Sequence, residues 1–531
     1  MKLYHNGPIL PMTPHPAVQA LLERDGKIAA LGTYEELKAS GAQEVDLQGR
    51  ALLPAFIDPH SHITALAATI KLCQLGSADS FDDIARRLRD FAAGKPRGAW
   101  VMGFGYDHNV LAQRAHPTRQ VLDRDFPDTP VLITHASGHM GVVNSAALKL
   151  LGIGPDTPDP EGGKIGREAD GRTPNGYLEE TAFMQNSAKL PRGTAEDMVH
   201  GLKDAQRTYL SHGITLVQDG LTGRGEYQML AAMAGRGGLD VDVVGYADMK
   251  KAPELSGEPC WGRFVDHFKL GGYKIFLDGS PQGRTAWMLE PYLPERTAEG
   301  GVPHSDYKGY PIYTDEEVTG FVRTALAQGA QILAHCNGDA AAAQYIRCCR
   351  RAQQELGKPI RAIRPVMIHA QLVRPEQLRG MNELGILPSF FAAHLWYWGD
   401  VHAENFGAER ASAISPMDEA VRLGLPFTMH QDTPVIPPDM IESVWCAVNR
   451  VTRGGAVLGP GRVISVYEAL KAVTVNAAYQ YFMEHERGSL DVGKAADFVI
   501  LDRDPTQVRL KELRGLRVME TVKGGETLFQ R

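Results

Sequence analysis

The sequence has little that would tie it to a membrane, a disulfide framework or nucleic acid. No apolar run of about 18 residues, the length a membrane-spanning helix needs, occurs in its 531 residues. The opening Met1-Lys2-Leu3-Tyr4-His5-Asn6-Gly7 lacks the long apolar stretch of a secretory signal. Cysteine is scarce, six in all, and two of them, Cys348 and Cys349, are adjacent. That excludes a disulfide scaffold and fits a reduced, cytoplasmic setting. Nor are basic residues in excess: 56 Lys and Arg face 63 Asp and Glu, for a formal net charge of -7. A nucleic-acid binder would carry a basic stripe instead. No internal repeat and no low-complexity tract stands out.

What is present points to a large globular α/β protein. Hydrophobic residues make up 43% and charged residues 22%, close to globular averages, so a packed core is expected. The length suits a large α/β barrel with an accessory module. Residues 1 to about 53 read as short strands with glycine turns, among them Asp25-Gly26-Lys27, Ile28-Ala-Ala-Leu and Glu44-Val-Asp-Leu. The far end repeats the pattern in Ala496-Asp-Phe-Val-Ile-Leu-Asp and Arg517-Val-Met-Glu-Thr-Val. One small all-β module built from 1–53 and 486–531 is the economical expectation, because each piece alone would be marginal.

Between them, over 54–485, apolar β-rich runs alternate with helical stretches. The runs include Pro130-Val-Leu-Ile-Thr-His, Ile214-Thr-Leu-Val-Gln-Asp, Tyr273-Lys-Ile-Phe-Leu-Asp, Gln331-Ile-Leu-Ala-His, Val366-Met-Ile-His-Ala, Gly385-Ile-Leu-Pro-Ser-Phe and Pro426-Phe-Thr-Met-His-Gln-Asp. Helices are legible at Glu196–His212, Asp315–Gln328 and Ala340–Leu356. Such alternation implies βα units and a parallel sheet. Strands that each end in a polar or ionisable residue suggest a (β/α)8 barrel, whose active site lies at the C-terminal strand ends. Inserted loops are expected around 70–190, and 155–176, rich in Gly, Pro and Asp, reads as a loop excursion.

The strongest local signal is Leu53-Pro-Ala-Phe-Ile-Asp-Pro-His60-Ser-His62. Two residues apart on a strand, His60 and His62 would point to one side and could reach one ion. The alternative is two hydrogen-bonded histidines at a strand end. Lys274 interrupts an otherwise apolar strand, where an ammonium is costly unless paired or chemically changed. It could snorkel outward, pair with Asp278, or lose its proton, capture CO2 and bridge metals as a carbamate. Lys269 is a fallback, set aside because Gly271-Gly272 would put it outside the strand. His335 and His369 each close an apolar run ahead of a helix. Two of these with HxH upstream are hard to explain by core packing. Asp432, in His430-Gln431-Asp432-Thr-Pro-Val, could bind the metal and take a proton from attacking water. Its alternative is to cap the helix near Met440, although Pro434, Pro437 and Pro438 intervene.

HxH, a strand lysine, two single histidines and a late aspartate, in that order, resemble the amidohydrolase superfamily. Finer motifs are similar to its N-substituted formamide deformylase-like branch: Gly103-Phe-Gly-Tyr-Asp107, Ser137-Gly-His139-Met-Gly-Val-Val-Asn144, Lys274-Ile-Phe-Leu-Asp-Gly-Ser-Pro-Gln-Gly-Arg284, Ser415-Pro-Met and Gly488-Ser-Leu-Asp-Val-Gly-Lys-Ala-Ala-Asp. The likeness runs from about residue 45 to 505. It implies a (β/α)8 barrel, a composite β-sandwich from both termini, one or two divalent metals, usually zinc, and hydrolysis of an amide-like bond. The implied ligands are His60, His62, Lys274, His335, His369 and Asp432, with Asp432 also shuttling the proton. Gln431 departs from the pattern, which often has serine there.

Other residues are expected to shape the pocket of a small-molecule substrate. His139 is a candidate to touch the substrate or polarise its carbonyl, and Asp107 and Arg284 are candidate polar contacts. Glu179 and Glu180 read as solvated surface. His394, Trp396 and Trp398, in a dense aromatic cluster after a strand, are expected to form a binding wall. A mononuclear deaminase or a cyclic-amide or ester hydrolase shares most of these residues; the former has no need of Lys274. A catalytically dead barrel would have lost ligands, and all six stand. No nucleic-acid or membrane partner is expected. The sequence does not read out assembly, for which a homodimer, the commonest form, is carried as the expectation.

Overall fold

Strands rich in Val, Ile and Leu, buried along nearly their whole length, give the molecule its central sheet. In the computed structural model, which describes residues 1–14, 18–96, 98–190, 194–294 and 306–531, these strands are β1 (Phe56–Ile57), β2 (Ile214–Thr222), β3 (Asp242–Asp248), β4 (Phe268–Phe276), β5 (Gln331–Cys336), β6 (Val366–His369), β7 (Leu387–Phe390) and β8 (Thr428–Met429). Each pairs in parallel with the next in chain order. Side chains covered on both faces are what a parallel sheet between helices requires.

The sheet curls, and the segments just beyond its two outer strands are hydrogen-bonded to each other. Beyond β8 the Asp432 N–H donates to His60 O at 3.2 Å, and the His62 N–H donates to Thr433 O at 2.8 Å. The segment after the first strand and the segment after the last are thereby joined at the C-terminal end of the sheet. Local signals place the connecting helices. Asp315–Gln328 begins in a reciprocal cap, Thr314 accepting from Glu317 N and Glu317 from Thr314 N. It ends at Gly329, whose φ of 68° suits a left-handed cap, and the chain turns directly into β5.

Two compact units result. One comprises Met1–Ile63, Gln206–Thr433 and Pro438–Arg531, and the other Thr64–Ala205 with Pro434–Pro437. In the first unit, the terminal segments contribute to a single eight-stranded sheet. Its order is Glu526–Gln530, Val518–Lys523, Phe498–Leu501, Ala51–Pro54, Lys2–Ile9, Val18–Arg24, Lys27–Gly32, with Gln43–Asp46 also paired to Lys2–Ile9. Tyr4, Leu21, Leu52, Phe498, Ile500 and Val522 pack together on it.

The second unit differs from the inserted loops expected around 70–190. It has its own six-stranded sheet, ordered Gly163–Arg167, Pro174–Glu180, Met140–Val143, Val131–His135, Val101–Tyr106, Cys73–Gln74. Val131–His135, read from the sequence as one of the barrel's βα strands, belongs here. An apolar run followed by a helix marks a strand but not the sheet that the strand joins. The excursion at 155–176 contains half of an antiparallel hairpin. Its tight turn is built by Asp170, which accepts from Arg172 N and Thr173 N, and by Gly171 at φ 66°. The same Asp and Gly had made it read as loop. Among the described residues no helix is long and apolar enough to cross a membrane.

Candidate metal centre

The HxH motif sits just beyond β1 rather than on it, and His62 bridges to Asp219 of β2. Both imidazoles turn to one carboxylate. His60 Nε2 and His62 Nε2 each lie 3.3 Å from Asp432 Oδ1. His369 Nε2 is 3.9 Å from Asp432 Oδ2, and Lys274 Nζ is 3.2 Å from His60 Nε2. The His335 ring meets the His369 ring edge-on, with centroids 4.5 Å apart. The structure thus gathers all six expected residues at the C-terminal ends of β1, β4, β5, β6 and β8.

The backbone is strained where two of them stand. His369 has φ 74° and Asp432 φ 53°, left-handed values that non-glycine residues adopt at a cost and that cluster at functional sites. Asp432 does not cap the following helix. Asp439 does, accepting from Glu442 N at 3.0 Å. Asp278 is likewise not the partner of Lys274, because its oxygens are taken by His335 Nδ1 and by the N–H groups of Asn337, Gly338 and Trp287.

Electrostatics leaves the donors in ligand-ready forms. Burial, reinforced by the charge of Lys274 and neighbouring imidazoles, holds His60 well below the ordinary imidazole value, and burial with His335 does the same for His369. Burial also pushes Lys274 down to about 7, opposed in part by the Asp432 carboxylate. For Asp432 burial works the other way, but the close approach of His62 and the surrounding positive charge outweigh it and keep the carboxyl below its usual range. Neutral imidazoles, an ionised carboxylate and a readily deprotonated amine converge here.

These donors fit a divalent ion better than they fit one another. Asp432 Oδ1 is buried and receives no hydrogen bond, although two ring nitrogens face it. Bonds of 2.0–2.1 Å in a tetrahedral site separate ligand atoms by about 3.3–3.4 Å, which is the spacing found. The far nitrogens are also committed. His60 Nδ1 donates to Gln218 Oε1 at 2.6 Å, an orientation fixed because Gln218 Nε2 donates to Pro59 O and Tyr481 Oη. His335 Nδ1 faces Asp278 Oδ1 at 3.2 Å, and His369 Nδ1 faces His430 Nε2 at 3.1 Å. In each case a proton on Nδ1 frees Nε2 for a metal.

A match to the amidohydrolase family model spans residues 43–529. The chain belongs to the amidohydrolase family. It is a hydrolase acting on carbon–nitrogen bonds, on a metal-dependent hydrolase fold. It is 28% identical to the N-substituted formamide deformylase of Arthrobacter pascens over 97% of this chain and 95% of that one. Its structure is similar to metal-dependent hydrolases of Pyrococcus horikoshii (26% identity, TM-score 0.76, 96% of this chain and 99% of that) and Pyrococcus furiosus (26%, 0.73, 95% and 100%).

The pocket residues expected for this amidohydrolase fall in several places. His394 and Trp398 are buried and continuous with the site through Phe391, whose ring lies 6.1 Å from His369, 4.5 Å from His394 and 6.0 Å from Trp398. Trp396 instead packs on Trp445 and Arg514. Arg284, at φ 58°, donates to Asn405 Oδ1 and Leu293 O. His139 and Asp107 belong to the second unit. There His139 Nδ1 is 2.9 Å from Glu180 Oε2, so Glu180, read as solvated surface, is a half-buried partner. Lys269 lies within β4, not outside it, with Nζ 3.4 Å from Tyr481 O and stacked over Phe264. Gln431 is buried, its amide donating to Ser443 Oγ and Asp439 O. Gln218 and His430, which the sequence reading gave no role, are the orienting partners. Their only signal is a polar residue within an apolar strand or just after one.

Proposed function

We propose that the chain is a zinc-dependent amidohydrolase that cleaves an amide or N-formyl C–N bond of a small molecule. The observation that carries this reading is the buried Asp432 oxygen, without a hydrogen bond and 3.3 Å from a ring nitrogen of each of His60 and His62. His60, His62, His335, His369, Asp432 and carbamylated Lys274 would hold the metal, in keeping with the order of these residues and the family match. A zinc ion bound there supplies Lewis acidity to the carbonyl and makes water more acidic.

The chain's own residues do the rest. Asp432, kept ionised, accepts a proton from the water whose oxygen attacks the carbonyl carbon. It returns that proton to the amine nitrogen as the C–N bond breaks. Phe391, His394 and Trp398 offer an apolar and aromatic flank that excludes bulk water. The likeness to the formamide deformylase supports N-formyl and N-acyl amines as the first substrates to try. A panel of N-formyl, N-acyl, cyclic-amide and ester compounds tests the reading. Turnover confined to esters, or deamination of an exocyclic amine without amide cleavage, would refute it.

Carbamylation follows from the neutral amine. Lys274 Nζ forms a bond to the carbon of CO2 and releases a proton, and the product is an anionic bidentate ligand. Because the neutral fraction of Lys274 grows as pH rises through about 7, reactivation of decarbamylated protein at fixed dissolved CO2 should accelerate from pH 6 to 8 and then level off. A rate independent of pH over that window would contradict the assignment.

The orienting hydrogen bonds make a separate prediction. Gln218→Leu removes the acceptor of His60 Nδ1–H and should weaken metal binding about 10- to 100-fold, measured by competition with a metallochromic chelator. Gln218→Glu retains the acceptor and should recover much of the loss.

A further inference from the structure

The helix that follows β7, His394–Ser412, sends two histidines into the interior. His394 is 3% exposed and His402 0%. Their ring planes are parallel to within 1°, and His394 Nδ1 lies 3.1 Å from His402 Nε2. Two imidazoles at that distance share one proton in a direct hydrogen bond. Both rings are neutral. Burial brings His402 down to about 3, and burial together with His402 and His430 holds His394 well below the ordinary imidazole value.

The rings form a row that leads away from the metal centre. Phe391 lies 5.2 Å from His430 and 6.1 Å from His369 on one side, and 4.5 Å from His394 on the other. His402 comes after His394 and stacks on Phe406, 5.9 Å away. The charges of His430 and His335 bear on His394, whereas burial alone accounts for the shift of His402. His394 is therefore the member nearer the metal centre. Its Nε2 stands across the ring from Nδ1 and points away from His402. Among the described residues that nitrogen makes no hydrogen bond.

The pair settles on one tautomer. His402 Nδ1 is sealed in the interior without a hydrogen-bond partner. Were His394 Nδ1 the donor, His402 would carry its own proton on that Nδ1, a buried orphan N–H of a kind that is rare in folded proteins. With His402 Nε2 donating instead, its Nδ1 holds only a lone pair. His394 then accepts at Nδ1 and keeps its proton on Nε2.

We propose that His394 Nε2–H donates to the carbonyl oxygen of the substrate as water adds and that oxygen becomes negative, with His402 as the positioning residue that fixes the tautomer. This assignment rests on the amidohydrolase reading above. A donor already oriented in a site poor in water stabilises the developing charge without reorganising when it forms. His394 thus contributes a polar edge to an otherwise apolar flank. His402 touches no substrate and acts only through His394.

The test is kinetic, on full-length metal-loaded protein, with an N-formyl or N-acyl amine that wild type cleaves and with the matching thioamide. His394→Phe keeps a ring of similar size and removes the donor. It should retain the wild-type metal content and lose about 10²- to 10³-fold in kcat on the amide, the range for one oxyanion donor. Sulfur is the weaker acceptor, so the same substitution should cost several-fold less on the thioamide. His402→Leu should cause a smaller loss with the same preference for the oxygen substrate. His402→Gln, which keeps a side-chain N–H, should recover much of it. A His394→Phe protein within about threefold of wild type, or one impaired equally on both substrates, would overturn the proposal. So would a His402→Gln protein no better than His402→Leu, and that pair decides the matter if His394→Phe does not fold. Those outcomes in an active wild-type background defeat the donor alone, whereas wild type that cleaves none of the amides defeats the amidohydrolase reading and the donor with it.

Discussion

Asp432→Asn should leave a folded protein that has lost turnover by about 10²- to 10⁴-fold, the range of a general acid–base group. The substitution is mild in every other respect. Asparagine tolerates the left-handed φ of 53° found here as readily as aspartate. It still offers an oxygen where Oδ1 stands between His60 and His62. It does not disturb the following helix, whose cap is Asp439. What it cannot do is accept the proton of the attacking water. Measured kcat should therefore fall far more than metal content. A variant within about threefold of wild type lies well outside that range and would move the base to another residue.

Lys274→Ala should abolish most activity and lower the metal content at this centre by one ion. The lysine is 1% exposed, its amine lies 3.2 Å from a ring nitrogen of His60, and no carboxylate among the described residues forms an ion pair with it. An ammonium there would suffer both desolvation and repulsion from a bound cation. A carbamate would reverse that sign and would offer its two oxygens to metal. Acetate or propionate, able to fill the vacated space with a carboxylate, should restore part of both the metal and the activity. Intact mass cannot report the modification, because carbamates are lost in acid, but a high-resolution map can. Density ending at Nζ beside a single metal would defeat the two-metal reading. So would an alanine variant as active as wild type.

The residues that converge were legible because each interrupts a rule. A lysine in an apolar strand, histidines closing buried runs and an aspartate after β8 have no packing reason to be there. The repeated turn-and-strand pattern at the two ends likewise announced that they share a sheet. Three things were not legible. Sheet membership is a long-range property, so Val131–His135 looked like a barrel strand while pairing within a separate unit. A bulge at Gly271-Gly272 interrupts register without ending β4, and Lys269 was misplaced for that reason. Orienting partners such as Gln218 act from a neighbouring strand far away in sequence, through a single hydrogen bond. A glutamine in mid-strand carries no trace of which ring it holds.

On the proposed mechanism a metal held by His60, His62, His369 and Asp432, with Lys274 and His335, is required for hydrolysis. Once a substrate from the amide and formamide panel is in hand, the direct measurement is turnover before and after exhaustive chelation, with metal content followed in parallel. Activity should disappear as metal leaves and return on adding zinc. Full turnover in protein stripped of metal would contradict that mechanism.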